Sequence, residues 1–169
     1  GNIQATLASG TDFALNLGMI TSGDNSGTVT ATGGGGLSAS ILTYGTTAFT
    51  NSGTITADGP GVIISGKFDN QGTVRSTGDV GVINSLGGGT ARGVTSTNSG
   101  TIEGVGAGLR VDTINFANTG TITATDGLGV DLGSYAGFDN QSGGVVNGTT
   151  AAVGTSNSAF NAVIQNAGI

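Results

Sequence analysis

Hydrophobic and polar residues alternate along this chain in short bursts. Thr54-Ile55-Thr56, Thr121-Ile122-Thr123, Leu109-Arg110-Val111 and Val130-Asp131-Leu132 each change character at every position, the period of a strand with one buried and one outward face. No segment carries a persuasive 3.6-residue apolar stripe, so almost no helix is expected. Gly and Asn gather between the bursts, where they supply the positive φ that tight corners need. The pattern predicts strand, corner, strand, corner, strand.

The bursts belong to a repeat. The segment Asn-x-Gly-x-(Ile/Val) begins at Asn25, Asn51, Asn70, Asn98 and Asn118; Asn140 opens a version with one extra residue, and another starts at Asn166. The spacings are 26, 19, 28, 20, 22 and 26 residues, a basic unit of about 19 to 20 lengthened in places by loops. Phe49, Phe68, Phe116 and Phe138 stand two residues before their Asn, with Ile164 in the equivalent place. Ten or eleven residues after the Asn comes a glycine and an apolar residue, in Gly61-Val62, Gly81-Val82, Gly108-Leu109 and Gly129-Val130. Each unit therefore holds at least three apolar stations and reads as one coil of a parallel β-solenoid. In such a stack Phe lies on Phe and Val or Ile on Val or Ile, and aligned Asn side chains hydrogen-bond from coil to coil. Seven Asn stations imply about seven to eight rungs and a rod roughly 35 Å long, as one domain over residues 1–169.

Charge supports this register. If Ile55 and its equivalents face inward, one outward column reads Thr30, Thr56, Arg75, Glu103, Thr123 and another reads Ile63, Ile83, Arg110, Asp131. Each column sets a cation beside an anion, a pairing that stabilises adjacent strands by ~0.2 to 1 kcal/mol. These charges read as structural.

Composition narrows the chemistry. Among 169 residues 35 are glycine, one is proline, and none is cysteine, histidine or tryptophan, which leaves no imidazole or thiolate catalyst, no tetrahedral zinc site and no disulfide framework. No cofactor or metal and no enzymatic activity is expected. The net charge of −6 and pI near 4.1 disfavour nucleic acid as a partner. The longest apolar runs, such as Val62-Ile63-Ile64, fall far short of the roughly 20 residues of a membrane-spanning helix.

The repeated F-x-N-x-G-T-(I/V) with a following G-(V/L)-x-(I/L/V), across residues 49 to 140, resembles the passenger repeats of bacterial autotransporters, the type V secretion proteins of Gram-negative outer membranes. Filamentous haemagglutinin-like exoproteins have related repeats. The resemblance implies a right-handed parallel β-helix, exported through the periplasm and either displayed on the cell surface or secreted, as an adhesin, an autoaggregation factor or a stalk. It implies as partner a host-cell or bacterial surface molecule or a second copy, and a membrane link only through a translocator domain outside these residues. The chain then reads as a fragment of a longer passenger, and no catalytic residue carries over.

Candidate contact residues follow. Ile63 and Ile83 lie side by side on an outward column, and Tyr44 or Tyr135 adds aromatic surface from elsewhere. Arg92 sits in the longest insertion, Ser85 to Val94, beside Gly87-Gly88-Gly89; no Walker-type lysine follows, so partner contact or an indifferent flexible loop is expected rather than a phosphate site. Gly33 to Gly36 is expected to be mobile and Asn147 to Asn157 a solvated loop. A polysaccharide-cleaving reading would need Asp112, Asp131 and Arg110 in one cleft. Asp126-Gly127-Leu128-Gly129 is a single loose match to a calcium repeat. Outward Thr-x-Thr triplets would suit an ice-binding face but are interrupted by Arg75 and Glu103, and threonine is in any case a favoured residue of an exposed strand, which is the reading expected. The expected function is adhesion or autoaggregation by a rigid rod; the alternative is a passive stalk or export scaffold.

Overall fold

The computed structural model describes residues 1–9, 11–41, 47–86, 93–156 and 161–167. The alternating bursts are strands, and they form three seven-stranded sheets in which every described pairing is parallel. The first sheet stacks Asn2–Thr6, Thr28–Thr32, Thr54–Ala57, Thr73–Ser76, Thr101–Gly104, Thr121–Ala124 and Val145–Asn147. The second stacks Phe13–Ile20, Gly35–Ile41, Val62–Ser65, Val82–Ser85, Ala107–Asp112, Leu128–Leu132 and Ala151–Gly154. The third stacks Gly23–Asn25, Phe49–Asn51, Phe68–Asn70, Thr95–Asn98, Asn115–Asn118, Gly137–Asn140 and Val163–Asn166. Each coil contributes one strand to each sheet in turn, which makes a parallel β-solenoid of seven rungs with no helix among the described residues.

Period-two alternation decides which side chains enter the core. In the first sheet Val29, Ile55, Val74, Ile102 and Ile122 stack in register, all at most 1% exposed. Leu37, Val62, Val82, Leu109 and Val130 do the same in the second. Fully burying each aliphatic side chain contributes roughly 1.5–3 kcal/mol. The third sheet adds Phe49, Phe68, Phe116 and Phe138, all buried. That column is interrupted at Ser96, whose buried hydroxyl accepts the Phe68 N–H at 3.0 Å. In the second sheet Asn84 stands between Ile64 and Val111. Its Nδ2 donates to the Gly66 carbonyl at 2.8 Å, and its Oδ1 is the one buried side-chain polar atom without a partner among the described residues.

The corners are tied by asparagine. Nδ2 of each repeat Asn donates to Oδ1 of the next, from Asn25 to Asn51 (2.7 Å), Asn70 (2.8 Å), Asn98 (2.7 Å), Asn118 (2.7 Å), Asn140 (2.8 Å) and Asn166 (3.0 Å). Asn51, Asn70, Asn98, Asn118 and Asn140 are buried. The same Nδ2 reaches the carbonyl of the repeat glycine two residues on, as from Asn70 to Gly72 at 3.2 Å. The Asn25 carbonyl in turn accepts the N–H groups of Ser52 and Gly53 on the next rung. Backbones approach so closely there that a Cβ on Gly53 would overlap the Gly27 carbonyl oxygen, and one on Gly72 that of Gly53.

Two expected loops are ordered structure. Of Gly33 to Gly36, Gly33 is exposed while Gly34, Gly35 and Gly36 are buried and Gly35 opens a strand; a Cβ on Gly36 would meet Gly61 O and Ile55 Cγ2 at 2.5 Å, so packing against the next coil demands glycine. Within Asn147 to Asn157, Ala151–Gly154 is the last strand of the second sheet. In the insertion, Ser85 ends a strand and Leu86 and Val94 are buried in the core, while Gly87 to Arg92 lie outside the described residues, as does Tyr44.

Replacing Asn98 by Ala removes the acceptor of Asn70 and the donor to Asn118. Two buried amide groups lose a partner, so the variant is expected to lose about 2–4 kcal/mol in denaturant unfolding. Asn25→Ala, at the half-buried end of the ladder, should cost less. Phe116→Ala should cost about 3–5 kcal/mol through lost burial and the cavity left behind.

Candidate functional site

The outward face of the second sheet gathers most of the candidate residues. Ser38, Ile63, Ile83, Arg110 and Asp131 follow one another in register across five rungs. Ile63 and Ile83 are direct neighbours there, and each is half-buried rather than fully exposed. Beside them runs a second outward column of Ser40, Ser65, Ser85 and Asp112. The face is therefore a two-residue apolar patch framed by hydroxyls, with charge only toward its C-terminal end. Tyr135, 46% exposed, belongs to the corner between the second and third sheets and not to this patch. Arg92 lies outside the described residues.

At the charged end the fold departs from the simple column. Arg110 Nε donates to Asp131 Oδ2 at 2.9 Å, but Asp131 is only 3% exposed. Ser156 covers it, with its N–H on Oδ1 at 2.8 Å and its hydroxyl on Oδ2 at 2.6 Å. Burial acts to raise the Asp131 pKa; the Ser156 hydroxyl and N–H and the Arg110 guanidinium together outweigh it and hold the carboxyl below its ordinary value. Asp131 is thus a clasp that binds the segment after the last strand of this sheet to the rod. Its acceptor capacity is largely taken up and it is held ionised, the opposite of what a general acid needs. Asp112 shares this face two residues beyond Arg110, so the three residues of the polysaccharide-cleaving reading come together as an ion pair with a neighbouring carboxylate.

Several other charges are tied in similar ways. Arg75 meets Glu103 at 3.3 Å and Lys67 meets Asp69 at 3.1 Å, both at solvent-accessible positions where an ion pair contributes about 0–1 kcal/mol. The N–H of Gly33 (2.9 Å) and the Thr77 hydroxyl (3.0 Å) bond Asp58 and lower its pKa. Among the described residues no group of three or more His, Cys, Asp or Glu is placed to hold a metal ion.

The first sheet presents a fuller hydroxyl array than the triplets suggest. Thr28, Thr54, Thr73, Thr101 and Thr121 form one unbroken outward column on five rungs. In the adjacent column Arg75 and Glu103 replace Thr on the two middle rungs.

The chain matches no protein-family model, and comparison with curated proteins and with solved structures finds no match. What is shown is the architecture, a repetitive parallel β-solenoid.

The Asp131 clasp makes a pH prediction. Its folded pKa lies below the unfolded aspartate value of about 3.9, so its contribution is fully present above that value and is lost as pH falls through the folded pKa. Asp131→Asn should therefore be less stable than the parent protein at pH 7, and the gap between them should narrow as pH drops from about 4 towards 2. Thermal unfolding across that range measures it.

Proposed function

We propose that this chain is a segment of a surface-displayed passenger of the autotransporter type, a stiff rod acting in adhesion or autoaggregation. The observation that carries this reading is the pairing of Ile63 with Ile83 on an outward column of a rod whose neighbouring outward columns on the first and second sheets are largely hydroxyl-bearing. Seven strands stacked at ~4.8 Å make a rod about 30 Å long. A continuous core and an asparagine ladder hold outward residues at fixed spacing along it. The apolar pair meets a second copy or a host-cell surface molecule, and association of two acidic rods is accordingly favoured by salt. Arg92, in an insertion anchored at both ends by buried Leu86 and Val94, is the second proposed contact. The segment acts outside the cell, anchored through its parent chain or released.

One observation favours a stalk. Ile63 and Ile83 are both half-buried, so the pair offers limited apolar area. In that reading the rod carries a binding domain away from the membrane, and rung-by-rung folding helps draw the passenger outward.

Displaying residues 1–169 on an unrelated translocator in a non-adherent bacterium separates the two. Adhesion or cell-to-cell aggregation is expected, and Ile63→Lys with Ile83→Lys should reduce it about tenfold or more at unchanged surface density. Efficient display without adhesion or aggregation would instead establish a spacer or export scaffold.

A further inference from the structure

The outward face of the third sheet is hollowed on its later rungs. Asn115, Gly137 and Val163 form one outward column there, and Ala117, Asp139 and Gln165 form the next. Ala117 adds little bulk to this surface, the Asn115 carboxamide lies over Gly137, and Asp139, Gln141 and Gln165 complete the lining. The result is an open groove of about 450 Å³. Through Asn115, Gly137 and Val163 it continues into a second hollow of about 510 Å³ at the corner that holds Tyr135. Both volumes fall in the range of small-ligand sites, about 300–1,000 Å³.

The corner beside the groove varies in length from coil to coil. From the end of the second sheet to the Phe station the chain advances nine residues at Ser40 to Phe49, three at Ser65 to Phe68, eleven at Ser85 to Ser96, four at Asp112 to Phe116 and five at Gly133 to Phe138. On three successive rungs this corner turns through the left-handed region at the same station, at Thr113 (φ 60°), Tyr135 (φ 58°) and Asn161 (φ 57°); one rung earlier that station is Gly93 (φ 126°). Asparagine tolerates this conformation, whereas a bulky aromatic adopts it only at a cost in free energy that glycine would avoid. Tyr135 is half in solvent, so core burial does not account for the choice. Thr113 holds the same conformation with its hydroxyl bonded to the Leu86 carbonyl at 2.9 Å, whereas the Tyr135 side chain stands at the hollow.

We infer that this groove binds a neutral, linear oligosaccharide. A sugar ring offers an apolar C–H face and a polar edge of hydroxyls. The ring of Tyr135 receives the first, presenting a large rigid area at little entropic cost. The amides of Asn115, Gln141 and Gln165 both donate and accept, and the carboxylate of Asp139 accepts. Gln141 Nε2 already donates to Asp139 Oδ2 at 3.0 Å, which orients that carboxylate before a ligand arrives. No cation lines the groove, and Asp139 together with the net charge of −6 repels an anionic glycan. The groove crosses several rungs and is open, so it accommodates a chain rather than a single sugar. This site is separate from the Ile63–Ile83 pair and does not depend on the proposed function.

The test is a titration of isotopically labelled protein, residues 1–169, with linear neutral tetrasaccharides of glucose, mannose and galactose, and with a heparin tetrasaccharide alongside. At least one neutral sugar should perturb the amide signals of Gly137, Asp139 and Gln165. Tyr135→Gly should weaken its binding about tenfold or more with the melting temperature unchanged or raised, since glycine relieves the positive φ. Asp139→Asn, a shape-conserving surface change, should weaken it about threefold or more. No perturbation by any neutral sugar, perturbation by heparin alone, or unaltered affinity in both variants would overturn the assignment.

Discussion

The structure depends on repetition in register. Parallel strands stacked at ~4.8 Å place every side chain directly on its counterpart one coil away, so a buried polar group is tolerated only if its own kind can satisfy it. Asparagine meets that demand because its amide carries a donor and an acceptor. Six successive amide-to-amide bonds run from Asn25 to Asn166, all donating in the same direction along the rod. Aligned in this way they polarise one another. An aliphatic residue at any interior position would leave a neighbour on each side without its partner, which explains why the ladder is uninterrupted while the Phe column accepts Ser96.

The ladder also dictates the corner. Because Nδ2 of Asn25, Asn51, Asn70, Asn98 and Asn118 bonds the carbonyl of the glycine two residues on, and the Asn carbonyls accept N–H groups from the next coil, the Asn-x-Gly turn is pinned on both sides. Successive turns then pack backbone on backbone, with no room for Cβ at Gly53 or Gly72. The high glycine content is thus a consequence of close stacking, and it does not mark a loose chain.

Outside the core, register constrains less and function has room. The first sheet repeats threonine, the second exposes a small apolar pair and a covered ion pair, and the third opens a polar groove beside a strained aromatic corner. These three faces belong to one continuous stack of coils, so their spacing is set by the coil. The proposed contacts therefore sit on different sides of one rod, free to act independently.

How much of this was readable in advance follows from where each interaction lies. Residues that repeat announced themselves: the Asn, Phe and glycine-apolar stations, the solenoid they imply, and the columns that place Ile63 beside Ile83, Arg75 beside Glu103 and Arg110 beside Asp131. Their partners are copies of themselves, so spacing along the chain is enough to locate them. Features resting on non-repeating contacts were not readable. The first two strands carry no Asn motif, the burial of Gly34 to Gly36 comes from atoms of neighbouring coils, and Ser156 reaches Asp131 across 25 residues that follow no period. The groove likewise arises from polar residues on different rungs meeting the corner that holds Tyr135, a combination that exists only once the coils are stacked. The sequence by itself determined the coil and its register, because in-register stacking turns periodicity into contact; the tertiary structure alone decided which outward residues are covered, clasped or open, because that depends on the path of the segments between repeats.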